Sequence, residues 1–152
     1  NSSALPFEKQ FYSGGANSMR GWQARSLGPG TSQPNELFII PSQTGDVKLE
    51  ANMEFRFPIA WKIEGALFAE TGNVWSMNSD NAPDRLDKDF YKVLAADWGL
   101  GIRVDLSFIV LRLDAGFRLH DPAREEGKRW VTPGQWFTSD GFAVHFGVGY
   151  PF

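Results

Sequence analysis

Hydrophobic and polar residues alternate with a period of two over several long stretches of the chain. Because successive side chains of a strand point to opposite faces, this alternation predicts strands with one apolar face and one small or polar face. Near the end of the chain, Phe142, Val144 and Phe146 alternate with Ala143 and His145. The pattern predicts five strands, over residues 46–57, 62–75, 94–105, 108–119 and 141–152.

The length of the predicted strands and of their connections indicates the environment of the sheet. Strands of a soluble β-sandwich show the same alternation, but each strand here reaches the roughly 9 to 11 residues that a tilted transmembrane strand needs. The first and third connections, near Pro58 and Leu106, are short, whereas the second and fourth, 76–92 and 121–140, are long and polar. This asymmetry is typical of outer-membrane barrels. We therefore predict an all-β fold, an antiparallel transmembrane β-barrel, with a soluble sandwich as the alternative.

Residues 1–45 do not show the alternation and are interrupted throughout by glycine and proline, which predicts an elaborate loop. The number of strands then becomes informative, because the smallest barrels have about eight strands and an open sheet would expose its edges to lipid. Either residues 1–45 hide further strands, or residues 46–152 form part of a larger wall. The remaining barrel strands, from the same protein or another chain, are thus expected partners.

Composition narrows the class of protein further. The chain of 152 residues contains 13 Phe, 6 Trp and 3 Tyr, which is ample apolar area to bury and argues against disorder. Aromatic residues near the predicted strand ends suit the interfacial girdles of a barrel, so membrane lipid is an expected partner. A net charge of -3 does not favour a nucleic-acid partner.

Few residues suggest catalysis, a metal site or a cofactor. His120 and His145 are the only histidines, the chain has no cysteine, and neither histidine has a second ligand at short spacing. The polar connection over 76–93 is rich in oxygen ligands but lacks the spacing of an EF-hand, so calcium binding there stays open. No serine lies in a nucleophile elbow. We expect a protein that is not an enzyme and carries no cofactor.

The loop contains the segment Gly14-Gly15-Ala16-Asn17-Ser18-Met19-Arg20-Gly21-Trp22. This segment resembles the sixth-loop motif of the BamA/TamA family of outer-membrane assembly factors, the bacterial surface antigen family. Three later segments resemble strand motifs of that family in the same order, namely residues 53–58, residues 67–75 and the C-terminal signal over 145–152. The resemblance implies the last five or so strands of a sixteen-stranded barrel in the bacterial outer membrane, with residues 1–45 as its lumen-directed sixth loop.

The resemblance also implies roles for particular residues of the loop and the wall. Arg20 would lock the loop to the wall, because its guanidinium can bind two carboxylates and Glu54 and Glu70 lie on the lumen side of adjacent predicted strands. The alternative is a solvated Arg20 beside two ordinary lumen charges. Trp22 stands where Phe or Tyr is commoner, and Glu70 where Asp is frequent. The full set of lock residues is Gly14, Gly15, Arg20, Gly21, Trp22, Glu54, Glu70 and Gly72.

The function implied by the resemblance is assembly, insertion or translocation of outer-membrane proteins without covalent chemistry. The terminal strand would pair weakly with the first barrel strand and open as a lateral seam for unfolded outer-membrane protein substrates, with periplasmic or lipoprotein accessory subunits as further partners. Two alternatives stay open: a two-partner-type secretion pore of the same superfamily, and a soluble β-sandwich binding module. The residues of the predicted seam and signal are Phe146, Gly147, Gly149, Tyr150, Pro151 and Phe152.

Overall fold

The chain folds into five β-strands in a computed structural model that describes residue 6 and residues 9–33, 43–77 and 84–149. Two short 3-10 helices, Phe90–Val93 and Pro133–Gln135, lie in the long connections. No helix in these ranges is long and apolar enough to cross a membrane. The strands are β1 (Val47–Ala60), β2 (Ile63–Trp75), β3 (Ala95–Asp105), β4 (Val110–His120) and β5 (Phe142–Gly149).

The strands form a single antiparallel sheet in the order β1-β2-β3-β4-β5, so each strand pairs with its neighbours in sequence. The predicted all-β, antiparallel fold with five strands is confirmed. A sandwich requires two packed sheets, whereas the described part of the chain contains this one sheet. Within the same part of the chain, β1 and β5 each have one edge without a strand partner, and the sheet is not closed.

The ends of the strands differ from the prediction at two turns. Pro58, expected in the first connection, lies inside β1 opposite Glu64, and the turn consists of Trp61 and Lys62. The register of the two strands shifts between Pro58 and Ala60, and an irregularity of this kind tolerates a residue without an N–H donor. Residues 108 and 109 belong to the turn before β4, and the final residues of the predicted fifth strand, 150–152, lie outside the described residues.

One face of the sheet, the apolar face, is formed by the predicted hydrophobic rows of β1, β3, β4 and β5, together with Ile63 and Leu67 of β2. Its side chains are unusually accessible: Met53 exposes 76%, Phe55 65% and Phe146 66% of its surface. An apolar surface that continues across five strands is far more extensive than the isolated hydrophobic residues of a soluble surface. The exposed members are Leu49, Met53, Phe55, Phe57, Ile59, Ile63, Leu67, Leu100, Ile102, Leu113, Val144, Phe146 and Val148.

Aromatic rings cluster where the apolar face meets the connection between β4 and β5. The ring centroids of Trp98 and Trp136 lie 5.4 Å apart, and the ring of Phe117 packs against both, at 5.5 and 6.0 Å. The indole Nε1 of Trp136 donates to the carbonyl of Arg118 at 3.0 Å, which ties the long connection to β4. Rings with one polar end at this position suit a membrane–water interface.

The opposite face of the sheet, the polar face, is covered by residues 9–33, which we call the motif loop. Met19, Trp22 and Leu27 of the loop pack with Ala95 in a small buried cluster. Near the end of β2 the loop is fixed by its backbone, since the Gly30 N–H donates to the Val74 carbonyl at 2.8 Å. The polar rows of the strands therefore lie between the sheet and the loop, away from the apolar face.

Candidate functional site

The motif loop reverses direction at a pair of glycines. Gly14 and Gly15 have φ values of +96° and +105°, a region that residues with a side chain rarely adopt. The Gly15 N–H donates to the carbonyl of Trp22 at 3.0 Å, and a Cβ on Gly14 would lie 2.3 Å from the carbonyl oxygen of Gln23. The resulting tight turn directs Arg20 and Gly21 onto the polar face of the sheet.

Arg20 is the centre of the contacts between the loop and the wall. Its Nη1 donates to Oε2 of Glu54 at 2.6 Å, and its Nε donates to Oε1 of Glu70 at 2.7 Å. The backbone N–H of Arg20 also donates to Oε2 of Glu70, at 2.7 Å. The guanidinium carbon lies 3.5 Å from the centroid of the Phe68 ring. A single side chain thus joins the loop to β1 and β2 through two carboxylates and one aromatic face.

The environment of Arg20 favours its charged form despite burial. Burial alone would lower the pKa of Arg20, but hydrogen bonds to Glu70 and Glu54 outweigh this effect and raise the pKa above its ordinary value. The side chain of Arg20 exposes 6% of its surface and that of Glu70 1%. Removing one member of such a pair leaves the other charge buried without its partner, which typically costs about 3 to 5 kcal/mol.

A second layer of charges surrounds this contact and was not singled out from the sequence. Arg103 donates to Oδ1 of Asp114 at 2.6 Å and to Oε2 of Glu54 at 3.0 Å, while Nε of Arg112 lies 3.2 Å from Oδ2 of Asp114. A Cβ on Gly101 would lie 2.2 Å from both Arg103 and Asp114, so the missing side chain provides the space for their contact. These residues lie on the polar rows of β3 and β4. The alternation in the sequence therefore does predict which face of the sheet they occupy.

The backbone next to Arg20 is held by β3 and β4. The Gly21 N–H donates to Oδ2 of Asp97 at 2.7 Å, and the Gly21 carbonyl accepts from Nε of Arg118 at 2.9 Å. Trp22 is buried, and the guanidinium carbon of Arg118 lies 5.0 Å from its ring centroid. A Cβ on Gly116 would lie 2.4 Å from the Arg20 carbonyl oxygen. The loop therefore approaches β4 closely because Gly116 has no side chain.

Gly72 has a different position from the other lock residues of the motif. A Cβ on Gly72 would lie 2.5 Å from the carbonyl oxygen of Leu49 and 2.6 Å from Cγ of Glu50, both in β1. Glu50 in turn accepts hydrogen bonds from the hydroxyls of Ser13 and Ser18 in the loop. The absence of a side chain at Gly72 thus allows β1 to pack closely on β2. Gly72 influences the loop only indirectly, through the position of Glu50.

The predicted seam residues lie on β5, away from Arg20. Phe146 is on the exposed apolar face, whereas Gly147 faces Arg112, whose Nε would lie 3.2 Å from a Cβ at this position. Gly149 has open space around it. Tyr150, Pro151 and Phe152 lie outside the described residues. His145 was not expected at the site, yet its Nε2 lies 3.0 Å from the Arg20 carbonyl oxygen.

Metal binding finds no support in the part of the chain that the structure describes. No group of three or more His, Cys, Asp and Glu side chains there could hold a metal ion. Residues 78–83 of the oxygen-rich connection, where the sequence left calcium binding open, lie outside the described residues. The charged groups around Arg20 form ion pairs with one another, an arrangement suited to holding a loop in place.

Comparison with known proteins identifies the group to which this arrangement is related. The profile of the Omp85 superfamily domain matches residues 1–152, which is the whole chain. The chain is also similar to the outer membrane protein assembly factor BamA of Neisseria meningitidis serogroup B, with 34% identity over 76 residues. That alignment covers 47% of this chain and 9% of the length of the Neisseria protein. The chain therefore spans a small part of the relative that it matches.

Proposed function

Because the chain belongs to the Omp85 superfamily and to the bacterial outer membrane, we propose that it serves the assembly or translocation of outer-membrane proteins. The similarity to an assembly factor of Neisseria favours assembly. In this proposal residues 46–152 are part of a barrel wall and residues 1–45 are a loop directed into its lumen. The action is non-covalent, and no cofactor takes part.

The observation that carries the proposal is the position of the motif loop on the polar face. The loop is bound by Glu54 and Glu70 through Arg20, while the other face of the same sheet is apolar and exposed. Such a sheet fits between lipid and a polar lumen, since lipid-facing and lumen-facing residues alternate along barrel strands. The loop then braces the wall from inside, and the other strands of the barrel complete it.

The finer mechanism that we propose is a lateral seam at β5. In a closed barrel β5 would pair weakly with the first strand, and a seam opening there would present an edge to which a strand can be added by β-augmentation. Gly147 and Gly149 weaken the strand, because glycine has no side chain to pack and loses more entropy on folding. Unfolded outer-membrane proteins are the proposed substrates, with periplasmic or lipoprotein subunits as accessory partners.

Replacement of Arg20 in the full-length protein tests the proposal. Arg20→Ala should leave the buried carboxylate of Glu70 without its ion pair, destabilise the docked loop by about 3 to 5 kcal/mol and reduce the yield of folded outer-membrane proteins. Arg20→Lys should give an intermediate yield, because an ammonium keeps the charge but cannot form the forked contact. The measurement is the amount of heat-modifiable, folded barrel protein in cells that depend on the variant.

Arg56→Ala is the matched control for this experiment. Arg56 also binds Glu54, with 2.6 Å between Nε and Oε1, but its side chain is 60% exposed. Removing an exposed ion pair costs about 0 to 1 kcal/mol, so this variant should behave as the unchanged protein. Normal assembly with Arg20→Ala would contradict the lock. A loss limited to the export of a single secreted substrate would indicate the two-partner secretion pore instead.

A further inference from the structure

The motif loop and β5 are joined by a hydrogen bond that involves His145. Its Nε2 lies 3.0 Å from the carbonyl oxygen of Arg20, the residue whose side chain binds Glu54 and Glu70. A carbonyl oxygen can only accept, so His145 is the donor and carries a proton on Nε2. The same residue of the loop is therefore bound through its side chain to β1 and β2 and through its carbonyl to β5.

The contacts between the loop and the wall are distributed unevenly over the strands. The first four strands hold it through several charged side chains, including Glu54 of β1, Glu70 of β2, Asp97 of β3 and Arg118 of β4. In the ranges that the structure describes, the hydrogen bond that we find from β5 to the loop is the one donated by His145. The terminal strand is thus the part of the sheet that is bound most weakly to the loop.

We propose that His145 is a positioning residue that couples the motif loop to the terminal strand. Through this bond the docked loop restrains β5, and loss of the bond frees the strand while the remaining contacts of Arg20 persist. The consequence for a lateral seam rests on the proposed function, but the coupling itself does not. Arg20 would then link the state of the loop to the mobility of the β5 edge.

The surroundings of this contact are shaped to allow it. Gly116 lies opposite Ala143 in the register of β4 and β5, and a Cβ on Gly116 would lie 2.4 Å from the Arg20 carbonyl oxygen. Asp114 lies opposite His145 and is fully buried among Arg103, Arg112 and Arg20. His145 therefore reaches the loop beside a glycine that makes room for the carbonyl and beside a fixed, buried carboxylate.

Hydrogen exchange of the full-length protein in detergent micelles tests the coupling. His145→Phe keeps a planar ring but removes the donor, and His145→Gln keeps an N–H donor at a similar reach on a more flexible side chain. A single hydrogen bond should change local opening by about tenfold. We therefore expect exchange of the amides of β5 to accelerate about tenfold in His145→Phe, with β1 and β2 unchanged and with protection largely restored in His145→Gln.

His120→Phe is the matched control. His120 also contacts a backbone carbonyl, with Nδ1 2.6 Å from the oxygen of Leu94, but this partner lies outside the loop. Exchange in β5 should be unaffected by that change. Unchanged β5 exchange in His145→Phe, or equal acceleration in β1 and β5, would overturn the coupling.

A second variant provides the test if His145→Phe does not fold. Gly116→Ala displaces the Arg20 carbonyl from the wall without touching His145, so it should accelerate exchange in β5 relative to β2. Equal protection of β5 in Gly116→Ala and in the unchanged protein would overturn the proposal. Exchange is measured whether or not the protein assembles substrates, so failure of the coupling and failure of the proposed function are distinguishable.

Discussion

At the scale of single residues, the contact of Arg20 with Glu54 and Glu70 is the part of the site that the resemblance of the loop motif led us to expect. Both glutamates lie on the polar rows of neighbouring strands, where one guanidinium can bind two carboxylates. The loop also contains Arg25, so the choice of Arg20 followed from the motif around it. The structure contains both hydrogen bonds. The role of this contact as a lock remains a proposal.

The other charged residues of the site could not be selected in the same way. Asp97, Arg103, Asp114 and Arg118 were visible as members of polar rows, but so were residues that do not touch the loop. Which of these residues contact the loop depends on the register between strands and on how deeply the loop inserts. The local alternation of apolar and polar residues determines neither of these. The need for a glycine at position 116, which makes room for the loop, likewise becomes evident only when the path of the loop is known.

Gly21 provides a prediction at this scale. A Cβ at Gly21 would lie 2.7 Å from Cβ of Asp97, a buried residue with little room to move, so Gly21→Ala should weaken the bond between the Gly21 N–H and Asp97. Overpacking of this kind costs about 1 to 3 kcal/mol. The loop should therefore be cleaved faster by trypsin after Arg20 and Arg25 in the folded, full-length protein.

The control for this substitution is Gly134→Ala. A Cβ on Gly134 has no atom within 4 Å, so the change adds the same methyl group without a collision. Cleavage in the loop should then proceed at the rate of the unchanged protein. Equal resistance to trypsin of the Gly21→Ala variant and this control would show that the close approach of Gly21 to Asp97 contributes little to docking.

At the scale of elements, the alternation predicted four of the strands through an almost wholly apolar face, and the fifth, over 62–75, through a less regular pattern. It located their ends less well. Pro58 suggested a turn, but β1 continues past it, since the register shifts between Pro58 and Ala60 and such an irregularity can contain a residue without an N–H donor. The turn instead lies at Trp61 and Lys62. Trp61 adopts a φ of 46°, a backbone conformation that could not be predicted from a tryptophan at this position. Strand ends depend on such turn geometry more than on periodicity.

The apolar face gives a prediction for a single strand. Leu100 lies in the middle of β3 and faces outward, with Leu67 and Ala115 as its neighbours in register. Arginine in the middle of a lipid-facing strand costs about 2 to 4 kcal/mol. Leu100→Arg should therefore lower the midpoint of urea unfolding of the protein inserted in lipid vesicles.

Leu106→Arg is the corresponding control at the end of the same hairpin. Leu106 lies in the turn between β3 and β4, where a barrel strand reaches the membrane interface and the cost falls to about 0 to 1 kcal/mol. The two variants carry the same chemical change at different depths. Equal midpoints for both would mean that the face containing Leu100 does not contact lipid.

At the scale of the whole molecule, the two faces of the sheet explain how the chain can be rich in both aromatic and charged residues. The chain is rich in aromatic residues, yet 22% of its residues are charged. The apolar residues cover one face, and many of the charges meet on the other, around Arg20 and Asp114. This division was predictable from the alternation, whereas the covering of the polar face by the motif loop followed from the resemblance.

The extent of the exposed apolar face predicts the behaviour of the protein in solution. Met53 and Phe55 of β1 and Phe146 of β5, at opposite sides of the sheet, are each exposed by more than half. A surface of this kind associates with itself in water. The full-length protein should therefore remain monodisperse in detergent and aggregate when detergent is removed, as light scattering would detect. A stable monomer in water without detergent would contradict the membrane assignment.

The bond between His145 and the Arg20 carbonyl also has a consequence for the order of folding. The two residues are separated by 125 positions, whereas Arg20 and Glu54 are separated by 34. Contacts between such distant residues form late, because all the intervening chain must first be arranged. The loop is synthesised before every strand of this sheet, but it can complete its contacts only when the last strand has joined. A fully docked loop is therefore a sign that this part of the wall is finished.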